Sequence, residues 1–438
     1  MFKKYDNYKE SGLEWLGDIP SEWGVKRLKD LGDLQNGLSK DGNYFGKGFP
    51  FVSYGNIYND TINLSDIKGL ANSNKEDQKI YSVLENDIFF TRTSETIDEI
   101  GFSATCLKTI PKATFSGFTI RFRPRFNNLY KIYSKYFFKV HSNRFYFVKN
   151  MNIVTRASLN QGLLGKFPTL IPPIKTQTKI ATYLDTQTQK IDKEIELLEK
   201  KSLKYKELKQ TLINETVLRG LDKSVKLKNS GMEWIGDIPE GWETERIKNI
   251  FNERVGKNLD KKKNEAVTKN ILSVMKDIGV INHRDKGNVG NKMAEDITNY
   301  KLVYPNDIVV NKMNIMIGSV GISKEFGALS VIYIILITKN NSYAKYYDYF
   351  FKMKAFHKSL RKIATGILEI REAVNMTLFM QTIMTKPPLK EQTKIATYLD
   401  EKTQKIDAIT KTITTKITLL KEFRKTLIND VVTGKVKI

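Results

Sequence analysis

Cysteine is nearly absent. Cys106 stands alone in 438 residues, which excludes an intramolecular disulfide and any zinc site built on clustered thiolates. His141, His283 and His357 are the only histidines, far apart and without HExxH-type spacing, so no histidine-based metal or nucleophile site is expected and each reads as structural. There is no apolar run of ~18 residues, no signal-like start and no isolated basic amphipathic helix at a terminus, so no membrane association is expected and the expected location is the cytoplasm. Carboxylates are the short side of the charge balance: 48 Asp and Glu against 72 Lys and Arg leave a formal net charge of +24. Such an excess makes a positive field suited to a polyanion, nucleic acid first. Catalytic signatures are missing too. No GxxxxGK(S/T) phosphate loop, GxGxxG or (N/D)PP(Y/F) methyltransferase motif occurs, since Pro172-Pro173 follows Ile171 and Pro387-Pro388 follows Lys386. The carboxylates fall into no nuclease constellation, and GSVG at 318–321 reads as a turn between strands.

What is present is enough to fold. Hydrophobic residues make up 40% of the chain and charged residues 27%, and the length favours at least two domains. The chain is written twice. GLEWLGDIPSEW at 12–23 returns as GMEWIGDIPEGW at 231–242, and QTKIATYLD at 177–185 returns unchanged at 392–400, after a proline pair each time. TQKID recurs at 188–192 and 403–407, and TLIN at 211–214 and 426–429. Between these blocks the copies share only thin landmarks: Asn86-Asp87-Ile88 against Asn306-Asp307-Ile308, and Tyr136-Phe137-Phe138 against Tyr349-Phe350-Phe351. The divergent stretches carry strand-like runs from Pro50, Thr119, Asp307 and Ala328, and one helix-like aromatic segment each, at 130–148 and 343–363. Both read as folded domains of mixed α and β type.

The blocks after the proline pairs read as long helices with a 3.5-residue apolar period. The first seam is Leu184, Ile191, Ile195, Leu198, Tyr205 and Leu212; the second is Ile395, Leu399, Ile406, Ile413, Ile417, Leu420, Phe423, Leu427 and Val431. Neither run holds a Pro or Gly, so each helix is expected to reach roughly 40 residues and about 60 Å. The first ends close to the start of the second domain, and the second must run back to meet its partner. The expected fold class is α+β: two mixed domains joined by two long helices in an antiparallel coiled coil, with a pseudo-two-fold internal repeat. The domains then sit at opposite ends of a spacer, and Ile438 returns towards Met1. Two unlike basic heads on a fixed spacer suit a bipartite, asymmetric DNA site, with half-site centres about 34 Å apart.

The GxEWxGxIPxxW lead, the PPxxxQTKIATYLDxxTQKID helix start and the doubled layout resemble the specificity subunits of type I restriction-modification systems, over essentially the whole chain. The resemblance implies target recognition domains at 1–173 and 220–388 and conserved helices at 174–219 and 389–438. It also implies double-stranded DNA, two methyltransferase subunits and two restriction subunits as partners. S-adenosylmethionine, ATP and Mg are then expected on those partners, with no cofactor and no chemistry in this chain. The competing readings are a self-sufficient methyltransferase or nuclease, and a coiled-coil scaffold whose charge serves solubility.

For DNA contact the first domain offers Arg92, Thr93, Ser94, Arg121, Arg123, Arg125, Arg144 and Arg156, with Asn160 and Gln161 for adenine-type bidentate contacts. The second offers Lys312 and Asn314, matching Arg92 and Ser94, and Lys261, Lys262, Lys263, Arg361 and Arg371. Trp15, Trp23, Trp234 and Trp242 fall in the repeated frame and read as packing residues.

Overall fold

The structure is a computed structural model that describes residues 3–94, 99–150, 157–289, 292–365 and 373–438, with backbone alone at Ser94, His141, Arg144, Ala157, Ala364 and Thr365. The chain forms two compact units, Met1–Leu198 with Thr415–Ile438, and Glu199–Thr414. The boundaries therefore fall inside the long helices, Ile174–Arg219 and Leu389–Val432, instead of at their ends. The reason is packing. In the first unit Ile180, Leu184, Ile191 and Ile195 join Leu427, Ile428, Val431 and the domain's own aromatics in one core. In the second, Ile213 and Val217 join Ile395, Ala396 and Leu399 in the same way.

The helix segments run antiparallel within each unit. Asp192 pairs with Arg424 at 2.9 Å and Glu194 with Lys416 at 2.6 Å, so one number falls as the other rises. In the second unit Lys209 pairs with Asp407 at 2.7 Å, while Gly220 lies against Glu391. Leu184, Ile191, Ile195, Leu399, Ile406, Ile413 and Leu427 are buried, and Leu198, Tyr205, Leu212, Ile417 and Leu420 are half-buried. Phe423 departs from the expected seam: it is 46% exposed, and Arg424 turns inward beside it. The heptad count does not separate these neighbours, because a guanidinium can hold its charge at a seam edge when carboxylates face it.

Each unit has its own sheet, and the two follow one strand order. In the first, strands Gly32–Asn36, Thr119–Pro124, Ile88–Thr91 and Ser103–Cys106 are neighbours in that order, all antiparallel, with Thr61–Ile62 added parallel at the edge. In the second, Phe251–Glu253, Tyr333–Thr338, Ile308–Asn311 and Val320–Ile322 repeat that order. A lateral pair, Gly24–Arg27 with Pro168–Ile171, returns as Glu243–Arg246 with Ile383–Lys386. The entry hairpin, Tyr8–Glu10 with Asp18–Pro20, returns as Leu227–Asn229 with Asp237–Pro239.

Each aromatic segment divides into two helices, Lys131–Phe137 and His141–Asn150, and Ala344–Phe351 and Lys354–Ser359. A single helix was the expectation. Phe137, Phe138 and Val140 are all buried, and one straight helix would spread such neighbours around its circumference at ~100° per residue. The break lets all three face the core.

Candidate nucleic-acid interface

The repeated landmarks are the bolts of the frame. Asn86 and Asn306 both take the left-handed conformation, with φ of 69° and 72°. The buried Asp after each closes its turn, accepting from Leu84 N at 2.7 Å and from Tyr304 N at 2.8 Å. Each also receives a bidentate guanidinium. Arg123 reaches Asp87 at 2.6 and 2.7 Å, and Arg254, which follows the strand Phe251–Glu253, reaches Asp307 at 2.6 and 2.8 Å. The first glutamine of QTKIATYLD is buried in both copies and ties helix to domain: Gln177 Oε1 accepts from Tyr130 N, and Gln392 Oε1 from Tyr343 N, both at 2.8 Å. Asp185 and Asp400 accept from the hydroxyls of Tyr136 and Tyr349 at 2.6 and 2.8 Å. Trp23 and Trp242 are 1% exposed and lie against Gly434 and Gly220, the left-handed glycines that follow the long helices. Trp15 packs on Phe145 and Tyr146, and Trp234 on Phe350 and Phe356.

Several candidate readers belong to this frame. Arg121 is buried, donates to Ser82 O at 2.7 Å and to Gln35, and lies over the Phe115 ring. Burial lowers its pKa to about 10. Arg121 and Arg123 are thus committed to the interior, where a strand's alternation directs them. Asn160 caps the helix Gln161–Gly165, accepting from Leu163 N at 2.8 Å, and Asn375 caps Met376–Gln381 in the same way. A residue that does the same task in both copies is frame. The Gln161 amide lies against Leu34 O and Asn36 N. Arg125 is exposed but held by Asp33, whose carboxyl the Arg125 hydrogen bonds keep below its ordinary pKa. Lys261, Lys262, Lys263 and Arg361 are exposed. Arg156 and Arg371 lie outside the described residues, as do the side chains of Ser94 and Arg144.

Arg92 and Lys312 do occupy one frame position. Each sits just after the central strand, and its carbonyl accepts from Leu159 N at 2.7 Å or Val374 N at 3.0 Å. Beyond them the chemistry diverges. Arg92 donates to Gly117 O at 3.2 Å, and Thr93–Ser94 pairs with Ala157–Ser158. In the second unit Met313 and Asn314 lead instead into the 3-10 turn Ile315–Ile317.

That turn borders a cleft of about 470 Å³ in the second unit, lined by Lys276, Lys286, Lys292, His283, Asn311 and Asn314 among others, with no carboxylate among the described residues that line it. Ser273 Oγ lies 2.9 Å from His283 Nδ1. Burial, and then the charge of Lys286, lowers the pKa of His283, so the ring is neutral near pH 7 and the lysines carry the cleft's charge. Lys276, Lys286, Lys292 and His283 escape a sequence reading because no motif links them. The strands Leu272–Met275 and Gly279–Asn282 bring them to face residues 311–333. The cleft can take a polyanion and offer amides and hydroxyls to it.

Residues 20–202 and 239–419 each match the family model of the type I restriction modification DNA specificity domain. The chain is 27% identical over 256 residues to the MjaX type I restriction enzyme specificity subunit of Methanocaldococcus jannaschii, a match that spans 57% of this chain and 56% of that relative. The fold is similar to a chain from a structure describing complex assembly and conformational transition of the type I R-M system, with a TM-score of 0.67 and 14% identity over 94% of this chain and 98% of that one. It is also similar to the HsdS subunit from Thermoanaerobacter tengcongensis, with a TM-score of 0.57 and 14% identity over 95% and 98% of the two chains. At such identities the likeness is one of fold.

Proposed function

Because the chain belongs to the type I restriction modification DNA specificity family, we propose that it reads double-stranded DNA for a multisubunit complex, its two units recognising unlike halves of an interrupted, asymmetric site. One observation carries this reading: an identical frame holds different chemistry at the same place, Arg92-Thr93 in the first unit and Lys312-Met313-Asn314 in the second. A shared frame with exchanged tips is what separate recognition of two sequences requires. The cleft lined by Lys276, Lys286 and Lys292 supports it with charge of the right sign.

The catalytic work belongs to partners in this reading. Two methyltransferase subunits would bring S-adenosylmethionine, and restriction subunits would bring ATP and Mg. Leu197, Leu203, Leu419 and Phe423 are exposed on the long helices, apolar side chains suited to a protein partner. Mapping modified adenines across the source genome tests the proposal. The expected result is an interrupted motif that vanishes on deletion of this chain, with one half altered when residues 24–168 are exchanged for another recognition domain. Methyl transfer by the purified chain alone, from labelled S-adenosylmethionine to DNA, would instead establish a self-sufficient enzyme.

A further inference from the structure

The turn at 311–319 is unusually well fastened for a surface element. Asn311 N donates to Ser319 O at 3.1 Å, and Ser319 N and Asn314 N close the loop onto Asn314 O and Asn311 O at 3.0 Å each. The Asn311 side chain accepts from Met313 N at 3.1 Å, and Gly318, at φ 93°, ends the turn. Much of the turn's backbone is thus bonded within the turn, and its side chains are what it presents to the cleft. Asn314 is exposed, and its amide has no hydrogen-bond partner among the described residues. Beside it Met313 and Ile317 are 42% and 53% exposed and line the same cleft. Among the described residues that line the cleft there is no arginine.

A planar amide offers a donor and an acceptor that match N6 and N7 of adenine in the major groove, and apolar side chains match the C5 methyl of thymine. Resting on the reading that this cleft meets DNA, we propose that the 311–319 turn is the base-reading element of the second unit and that it recognises an adenine·thymine pair. Asn314 pairs with the adenine, and Met313 and Ile317 cover the thymine methyl. Asn311 is a positioning residue, holding the turn from below. Lys276 and Lys292, exposed on the cleft, meet phosphates.

The test uses the whole complex with its methyltransferase subunits and a library of randomised duplexes, sequenced after methylation. The wild type is expected to select two half-sites. Asn314→Ala is expected to lower the preference at one A·T pair, on the order of 10-fold, in one half only. The intact other half reports that the variant is folded. Competition binding against single-base variants of the site reads the same preference if methylation is lost. Replacing that thymine by deoxyuridine, which lacks the methyl, should weaken the wild type and leave the Met313→Ala, Ile317→Ala double variant unaffected. An unchanged motif with Asn314→Ala, or an altered half made only of G·C pairs, overturns the proposal. Methylation or binding without any sequence preference in the wild type would overturn the underlying DNA reading instead.

Discussion

At the scale of the residue, cations on this chain divide by burial. Arg123 and Arg254 each hold a nearly solvent-free carboxylate, at side-chain exposures of 0% for Asp87 and 4% for Asp307. Removing either guanidinium strands a buried charge, so Arg123→Ala is expected to cost roughly 2–4 kcal/mol, at the lower end of what breaking a buried pair costs because the arginine itself is partly solvated. Equilibrium unfolding in urea measures it, and the recognised motif should stay the same. Histidine gives a pH signature. His357 is half-buried, its Nε2 lies 2.6 Å from Phe351 O, and this partial burial holds its pKa below the ordinary 6.5. The unfolded chain then takes up the proton more readily than the folded one. Stability is therefore full above about pH 6.5 and falls as pH drops from there towards the folded-state value. Thermal melting between pH 8 and pH 5 should show this decline, and His357→Gln should flatten it; an unchanged slope would remove His357 from the account.

The long helices show at the scale of the element how far a periodic pattern carries. Their bounds follow from proline pairs before them and glycines after them, both legible in the chain. Ile191 and Ile413, at 7% and 6% exposure, are expected to cost about 2–4 kcal/mol each as alanine, by lost burial and cavity. Leu419, 58% exposed, should tolerate alanine within about 0.5 kcal/mol in the isolated chain and weaken assembly with partner subunits. Chemical denaturation and subunit titration separate the two effects. The exchange of Phe423 for Arg424 at the seam was not legible, because the carboxylate that draws the arginine inward, Asp192, comes from the opposing helix. The divided aromatic helices were hidden for a similar reason: composition gives helix, while the break answers to a core assembled from other strands.

For the molecule as a whole, the two units repeat a frame down to single hydrogen bonds, and the terminal segments take part in it. Lys3 bridges to Lys437, and Tyr8 Oη donates to Gly434 O, so both ends of the chain complete the first unit. The second unit does the same with continuous chain from 218 to 239. Tyr133 Oη lies 3.5 Å from Val432 O, the end of the second helix, while Tyr346 Oη lies 2.8 Å from Val217 O near the end of the first. Each domain is thus seated on the start of one long helix and the end of the other. If the cleft of the second unit meets phosphate, Lys276→Ala with Lys292→Ala should reduce the slope of log affinity against log salt by about two, without relaxing the motif. Fluorescence anisotropy across a salt series reads this, and an unchanged slope would place the DNA elsewhere.

The amino-acid sequence alone determined the repeat, the long helices and their seams, and the separation of a constant frame from divergent heads, because these are local or periodic properties that every residue in a segment reports. Which cations face solvent was decided only in three dimensions. Arg121 and Asn160 look like readers in the chain and serve as struts in the fold, while Lys276, Lys292 and Asn314 become neighbours only when segments some 40 residues apart converge on one cleft. Burial and convergence depend on the whole sheet, and no short window of sequence contains them.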